Sequence, residues 1–306
     1  MTAGTGSRDD PHAQARSARD APLLLHSLSL FREVFAAVYA ATPVRTVVEI
    51  GVESGAVTAM YAGLGAEVVY AVDPSCTDGA RSRIAADPAL RLVEARSPGA
   101  LAELPRADLY VVDGDHNYAV VRRELEWILG HAPEAVVVLH DVLWPSGRRD
   151  QYYEPSPLSD AERHPSSADG PTVWHDDLTP DGFVGLGAFT AAVHAGGERN
   201  GVLTAVEDAV ADAGAAWDLH VVPAVFGLGV LVRAGTDRSR ALAVALRPWV
   251  GSDLLAALEN NRLALYTRVL ALQRALEAPA AGPRPRSAVG RALRRGVRPF
   301  LRRSNG

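Results

Sequence analysis

Between residues 46 and 141, short β-branched runs alternate with helical stretches, and this alternation constrains the fold more than any other feature. The runs are TVVEI (46–50), EVVYAVDP (67–74), LRLVEA (90–95), ADLYVVDGD (107–115) and EAVVVLHD (134–141). Their strands read as apolar on both faces, as in a parallel sheet covered by helices on each side. Stretches of helical character fill the intervals at 56–62, 77–87, 98–104 and 118–129. Strict alternation predicts an α/β, doubly wound fold on a mostly parallel sheet. WDLHVVP (217–223) and VFGLGVLVR (225–233) follow a helix at 201–213. They are so close together that they are expected to pair antiparallel at a sheet edge.

Helices are added at both ends. LLLHSLSLFREVFAAVYAA (23–41) reads as one helix after a flexible lead of 1–21, and two more are expected at 238–249 and 252–277. The last is strongly apolar on one face, at Leu254, Leu258, Leu265, Val269, Leu272 and Leu276. It either covers the sheet or forms a homo-oligomer interface. Residues 142–186 carry many Pro, Gly, Asp and His residues with little periodicity, the pattern of a long functional loop.

Charge and composition exclude several functions. The chain has 36 acidic and 31 basic residues, and every basic residue is arginine. No mechanism can use a lysine base or Schiff base. Eight arginines and no acids lie from Ala281 onward, so the remainder carries 23 − 36 = −13. An acidic body without an RNA-binding signature argues against nucleic acid as a partner. The basic tail, 278–306, reads as a flexible segment or a membrane-surface contact, with Val289, Leu293, Val297 and Phe300 at helical spacing. A single cysteine, Cys76, and a polar start favour the cytoplasm.

In such a sheet, ligands bind outside the carboxyl ends of the strands. The first strand ends in Glu49-Ile50-Gly51-Val52-Glu53-Ser54-Gly55. Its glycines let a ligand approach the backbone, but the spacing G-x-x-x-G is not the dinucleotide pattern, and Glu53 would repel a pyrophosphate. That weakens a dehydrogenase reading. The second strand ends in Asp73, 22 residues after Gly51, where a carboxylate can accept both hydroxyls of a ribose. The fourth ends in Asp113-Gly114-Asp115-His116 and the fifth in His140-Asp141. Neighbouring strands would bring three carboxylates and two imidazoles to one rim, a cluster that asks for a cation. Oxygen ligands suit Mg²⁺, Ca²⁺ or Mn²⁺, whereas a histidine nitrogen moves the balance toward Mn²⁺, Fe²⁺ or Zn²⁺. Each residue also has a purely structural role open to it: Asp115 as a helix cap, His140 as a buried hydrogen-bonded histidine.

VVEIGVESGAVT, VYAVDP, LYVVDGDHNYAVVRREL and VVVLHDV, in this order, resemble the class I S-adenosylmethionine-dependent methyltransferases. They are most similar to the metal-dependent branch with catechol O-methyltransferase, macrolide-sugar O-methyltransferases and cephalosporin-hydroxylase-like proteins. The resemblance covers roughly 44–233. It implies a Rossmann-like methyltransferase fold with seven strands, the last antiparallel, over residues 22–237, with 238–277 as C-terminal helices. It also implies that Glu49, Gly51, Ser54 and Gly55 line the methionine and ribose of S-adenosylmethionine. Asp73 would hold the ribose hydroxyls and Ser97 would lie near the adenine. Asp113, His140 and Asp141 match the family's metal triad, for Mg²⁺ or Mn²⁺, and His116 its general base, with Asp113 the other catalytic residue. One departure is His140, where the family usually has an acid or amide.

The expected reaction is methylation of a small-molecule hydroxyl, especially on a sugar or glycosylated natural product. Asp115 and the loop residues Trp144, Arg148, Arg149, Tyr152 and Tyr153 are the candidate substrate contacts, with His164, Trp174 and His175 nearby. Aromatic rings stack on sugar or aryl faces, and arginines grip carboxylates or phosphates. The rival readings are a metal-dependent hydroxylase or hydrolase on the same rim, and a non-catalytic binding protein on the same fold.

Overall fold

The computed structural model describes residues 10–21 and 27–277. The basic tail at 278–306, with its membrane-surface expectation, and residues 22–26 lie outside the described residues. The strands β1 (Thr46–Ile50), β2 (Val68–Val72), β3 (Leu90–Val93), β4 (Leu109–Val112) and β5 (Val136–Leu139) fall inside the five expected runs. After them come three short strands, β6 (Gln151–Tyr153), β7 (Ser166–Ser167) and β8 (Phe189–Ala192), and then β9 (Trp217–Val222) and β10 (Leu228–Arg233). The main sheet has seven strands in the order β3-β2-β1-β4-β5-β10-β9. β1 to β5 are parallel, and β10 runs antiparallel to both β5 and β9. The closing pair is therefore antiparallel as expected. The last strand is inserted next to β5, which leaves β9 at the edge.

The helices are α1 (Ala13–Asp20), α2 (Arg32–Ala41), α3 (Thr58–Gly63), α4 (Asp78–Ala85), α5 (Tyr118–His131), α6 (Val202–Asp212), α7 (Asp237–Leu246) and α8 (Asp253–Glu277). Side-chain alternation along the strands builds two cores. Val47, Val111, Val136 and Val138 face α2, α3 and α7, while Val48, Ile50, Val112, Val137 and Leu139 face α5 and α6. No described helix is long and apolar enough to cross a membrane.

Three expectations are corrected. The lead is not wholly without structure, because 13–20 form α1, although no residue of α1 is buried. The helix expected over 23–41 begins as a 3₁₀ turn at Leu28–Phe31, capped by the Ser27 hydroxyl, and becomes α-helical only at Arg32. The 142–186 segment is not wholly irregular. It contributes β6 and β7 to a small antiparallel sheet of order β6-β8-β7. Asp150 pins that sheet to the body. Its Oδ1 accepts the N–H groups of Tyr118 and Gly201, each at 2.7 Å, and its Oδ2 accepts the Tyr152 hydroxyl at 2.8 Å.

Gly51 has φ +89°, and a Cβ there would stand 2.2 Å from the carbonyl oxygen of Asp113. The turn after β1 thus lies directly on the end of β4, and only glycine permits both the conformation and the approach. Gly51→Ala is expected to cost ~3 kcal/mol or more in urea unfolding, from strain and overpacking together. A loss within experimental error would contradict this contact.

Glu124, on α5, is fully buried, accepts the Ser97 hydroxyl at one oxygen and leaves Oε2 without a partner. Burial pushes its carboxyl from 4.5 up to about 8, with the Ser97 hydroxyl pulling the other way. The neutral acid is the form the fold prefers. Its contribution to stability is complete below about pH 4.5 and is lost as pH rises through about 8. Glu124→Gln should therefore gain stability relative to the wild type by up to ~1 kcal/mol per pH unit across that window. Denaturant titrations giving the same difference at every pH would sink the assignment.

Candidate functional site

The strand registers set the carboxyl ends of β2, β1, β4 and β5 level, with Ile50 opposite Val72 and Val112, and Val112 opposite Leu139. Over this rim opens a cavity of about 730 Å³, within the usual range for small-molecule sites. Glu49, Gly51, Ser54, Asp73, Ser97, Asp113, Asp115, His116, His140, Asp141 and Tyr153 all line it. Gly55 is not on its wall: it packs against Ala80 of α4 and turns the chain, with φ +67°.

One end is built by β1 and β2. The Oδ2 of Asp73 accepts the backbone N–H groups of Val52 at 2.9 Å and Glu53 at 3.3 Å, and its Oδ1 accepts that of Ser75 at 2.8 Å. Three of about four lone-pair sites are engaged, so the carboxylate is fixed toward the cavity with capacity for a hydroxyl donor. Glu49 is buried and accepts the Thr58 hydroxyl at 2.6 Å. Burial raises its carboxyl to about 8 against that hydrogen bond, and the nearby charge of Asp113 adds to the rise. The Ser97 hydroxyl donates to Glu124, so this residue meets the cavity with its hydrogen already committed.

The other end is built by β4 and β5. Side chains that follow one another along a strand point to opposite faces. Asp141 escapes that rule because its φ is +58°, a left-handed turn just past β5. Its Oδ2 lies 3.0 Å from His140 Nδ1, and the Oδ1 of Asp113 lies 3.1 Å from the same nitrogen. Asp113, His140 and Asp141 each offer a ligand atom within 4.8 Å of the others, the one such group among the described residues. His140 is 3% exposed, and its Nε2 is 2.8 Å from the carbonyl oxygen of Val225. A carbonyl can only accept, so Nε2 carries the hydrogen. In the neutral ring Nδ1 then presents a lone pair to two carboxylates.

Three electron-rich atoms converge in this way, and the set fits a divalent cation with a backbone carbonyl fixing the ligand tautomer behind it. Without such an ion, a proton on Nδ1 has to do the neutralising. The electrostatics agree. Burial disfavours the His140 imidazolium, yet the charges of Asp113 and Asp141 hold it well above the ordinary histidine range. Burial likewise opposes ionisation of both carboxyls, but His140 and His116 keep them below the usual carboxylate range. His116 joins the same group from the start of α5. Its Nε2 is 3.4 Å from Asp113, 3.5 Å from Asp141, and has no hydrogen-bond partner. Asp115 stays outside the group and is not the helix cap. Asn117 caps α5 by accepting the Val120 N–H at 2.9 Å.

Four of the expected substrate contacts lie off the wall of this cavity. Strand alternation in β6 sends Gln151 and Tyr153 to the cavity and Tyr152 into the interior, where it is fully buried on Asp150. Trp144, Arg148 and Arg149 line a second, separate groove. Arg148 is paired with Glu207 at 2.6 Å. The buried Arg149 guanidinium donates to the carbonyls of Ala192, Val193 and Asp176, a structural staple. Phe183, Phe189 and Phe226 instead join Tyr153 on the cavity wall, with Tyr153 and Phe189 edge to face at 6.1 Å. Phe226 belongs to a turn whose three residues, Val225, Phe226 and Gly227, all have positive φ. α8 holds that turn: Glu259 accepts the Phe226 N–H at 2.9 Å, and Arg262 pairs with Glu259 and covers the Phe226 ring. No local signal marked these residues, since their contact with the rim is made across the fold.

Residues 48–142 match a family model described as a methyltransferase domain. No curated protein matches the sequence significantly. Among solved structures, the CcbJ methyltransferase of Streptomyces caelestis is 16% identical, with 72% of this chain and 96% of that one covered and a TM-score of 0.41. The ribosomal protein L11 methylase of Lactobacillus delbrueckii subsp. bulgaricus is also 16% identical, with coverage of 68% and 80% and a TM-score of 0.38. The N-terminal domain of EvdMO1, solved in the presence of SAH and D-fucose, is 14% identical, with coverage of 76% and 99% and a TM-score of 0.39. The family-model match runs from Val48, within β1, to Val142, just past β5, and so includes the strand ends that carry Asp73, Asp113, His140 and Asp141.

Proposed function

We propose that the chain is a divalent-metal-assisted O-methyltransferase that methylates a hydroxyl of a small molecule, a sugar or a glycosylated natural product being the favoured class. The observation that carries this reading is the convergence of His140 Nδ1, Asp113 Oδ1 and Asp141 Oδ2 at the bottom of the cavity. When bound, S-adenosylmethionine supplies an activated methyl group, and a divalent cation such as Mg²⁺ or Mn²⁺ lowers the pKa of the acceptor hydroxyl.

The chain's own residues then have distinct tasks. Glu49, Gly51, Ser54 and Asp73 hold the cofactor, with Asp73 accepting from its ribose and Ser97 lining the adenine side. Asp113, His140 and Asp141 hold the cation. His116 is the base. Its Nε2 is free of hydrogen bonds, and the carboxylates of Asp113 and Asp141 beside it favour the imidazolium it becomes. Tyr153, Phe183, Phe189 and Phe226 offer ring faces and edges to the C–H faces of a sugar or to an aryl ring, and exclude water from the transfer. Asp115, also on the cavity wall, is a candidate acceptor for a second substrate hydroxyl.

His116→Ala is expected to lower turnover by roughly 10²–10⁴-fold while leaving S-adenosylhomocysteine affinity nearly unchanged in calorimetry. Wild-type turnover in that variant would remove His116 from the mechanism. His140→Ala should weaken Mn²⁺ binding by at least ~10-fold, followed by electron paramagnetic resonance of the free ion. Mn²⁺ binding that is absent from the wild type, or indifferent to His140, would contradict metal assistance.

A further inference from the structure

Gln151 opens β6 and lines the cavity. It is only 6% exposed, yet among the described residues no hydrogen-bonding group meets its side-chain amide. Its backbone is engaged: the N–H donates to the His116 carbonyl at 2.9 Å, and the residue pairs with Ala191 of β8. A carboxamide carries two N–H donors and an oxygen with two lone pairs, and buried groups of this kind are nearly always satisfied. Leaving them dry costs stability, and a cost of that sort persists where a ligand removes it.

The amide stands on a rigid base. Asp150, immediately before it, donates its own N–H to Asn200 Oδ1 at 2.7 Å, while its carboxylate accepts from Tyr118, Gly201 and Tyr152. The bond to the His116 carbonyl ties the start of β6 to the turn that carries the proposed base. His116 and Gln151 therefore leave adjoining backbones, about 5 Å apart, beside one cavity. Tyr153, the next side chain on the same face of β6, sets its ring 5.8 Å from the His116 ring. An acceptor seated against Tyr153 with one hydroxyl at His116 thus turns its neighbouring carbons to Gln151.

The chemistry of the amide selects what those carbons carry. Glu53, Asp113, Asp115 and Asp141 line the same cavity, and their charges oppose a carboxylate or phosphate on the acceptor. An ammonium would satisfy only the amide oxygen. A hydroxyl is neutral and both donates and accepts, which matches a carboxamide on both counts. We propose that Gln151 is a specificity-determining residue of the transfer site, whose amide binds a second hydroxyl of the acceptor, one or two carbons from the hydroxyl that is methylated. The acceptor is then a neutral polyol rather than a lone alcohol or phenol. This assignment rests on the O-methyl transfer proposed above, but the binding it describes is measured without turnover.

The test is a ligand-observed NMR titration of the full chain, loaded with Mg²⁺ and S-adenosylhomocysteine. The probes are trans-cyclohexane-1,2-diol and cyclohexanol, which differ by one hydroxyl. The diol is expected to bind at least ~10-fold more tightly, because a site built to hydrogen-bond a hydroxyl rejects the analogue that lacks it. Gln151→Leu should erase the preference by weakening the diol, with cyclohexanol affinity kept within about twofold. Its thermal midpoint should be unchanged or higher, since an unpaired buried amide is removed. Gln151→Ala should lose the preference in the same way. A merely damaged cavity would weaken both probes alike. Equal affinity for the two probes, binding of neither, or a preference that survives both substitutions overturns the proposal. A Gln151-dependent preference in a protein that transfers no methyl group to any hydroxyl supports the second-hydroxyl site and counts against O-methyl transfer, so the two readings fail separately.

Discussion

Two carboxylates, the half-buried Asp113 and the buried Asp141, meet at one nitrogen of the buried His140, and a positive charge among them is what the rest of the site is arranged around. Asp113 and Asp141 come from the ends of adjacent parallel strands, and the left-handed turn at Asp141 brings its oxygen alongside Asp113 rather than to the opposite face. The Val225 carbonyl determines which nitrogen of His140 meets them. Either a proton or a divalent ion can supply the charge. The two are in competition, since a metal ligand must first lose its proton. On the proposed reading, a divalent ion that took this place would do so with release of the His140 proton.

This constraint reaches well beyond the rim. Val225 and Phe226 both sit in left-handed conformations that bulky residues rarely adopt. What over-determines them is remote in sequence: the Glu259 carboxylate on the Phe226 N–H, and the Arg262 guanidinium over its ring. Helix α8 is outside the matched methyltransferase segment, yet it controls the turn that orients His140 and supports the Phe183 wall. The C-terminal helix thus touches the cavity wall as well as the body of the fold.

The centre of the sheet was legible because β1, β4 and β5 are buried on both faces, so β-branched runs such as VVEI and VVVL stand out against their neighbours. The rim was legible for a related reason. In a parallel sheet every site residue at a strand end is adjacent in sequence to an apolar run, as Asp73, Asp113 and His140-Asp141 are. The substrate side was not. Trp144, Arg148, Arg149 and Tyr152 have the right chemistry, but their direction depends on the register of a three-residue strand and on one buried carboxylate, Asp150. Tyr152 and Tyr153 are neighbours in sequence and face opposite ways. The cavity's phenylalanines come from isolated positions that no periodicity marks, and the cap of α5 fell to Asn117 rather than Asp115 because the helix starts one residue after it.

Everything proposed for this site turns on Asp113, His140 and Asp141 holding one cation beside the cavity over the strand ends. A crystal structure of the full chain with Mn²⁺ and S-adenosylhomocysteine, with anomalous scattering recorded for manganese, tests it most directly. One strong anomalous peak is expected in contact with Asp113 Oδ1, Asp141 Oδ2 and His140 Nδ1, with a nucleoside hydroxyl on Asp73. Bound S-adenosylhomocysteine with no manganese among those three residues, and His140 still bridging the two carboxylates, would contradict it.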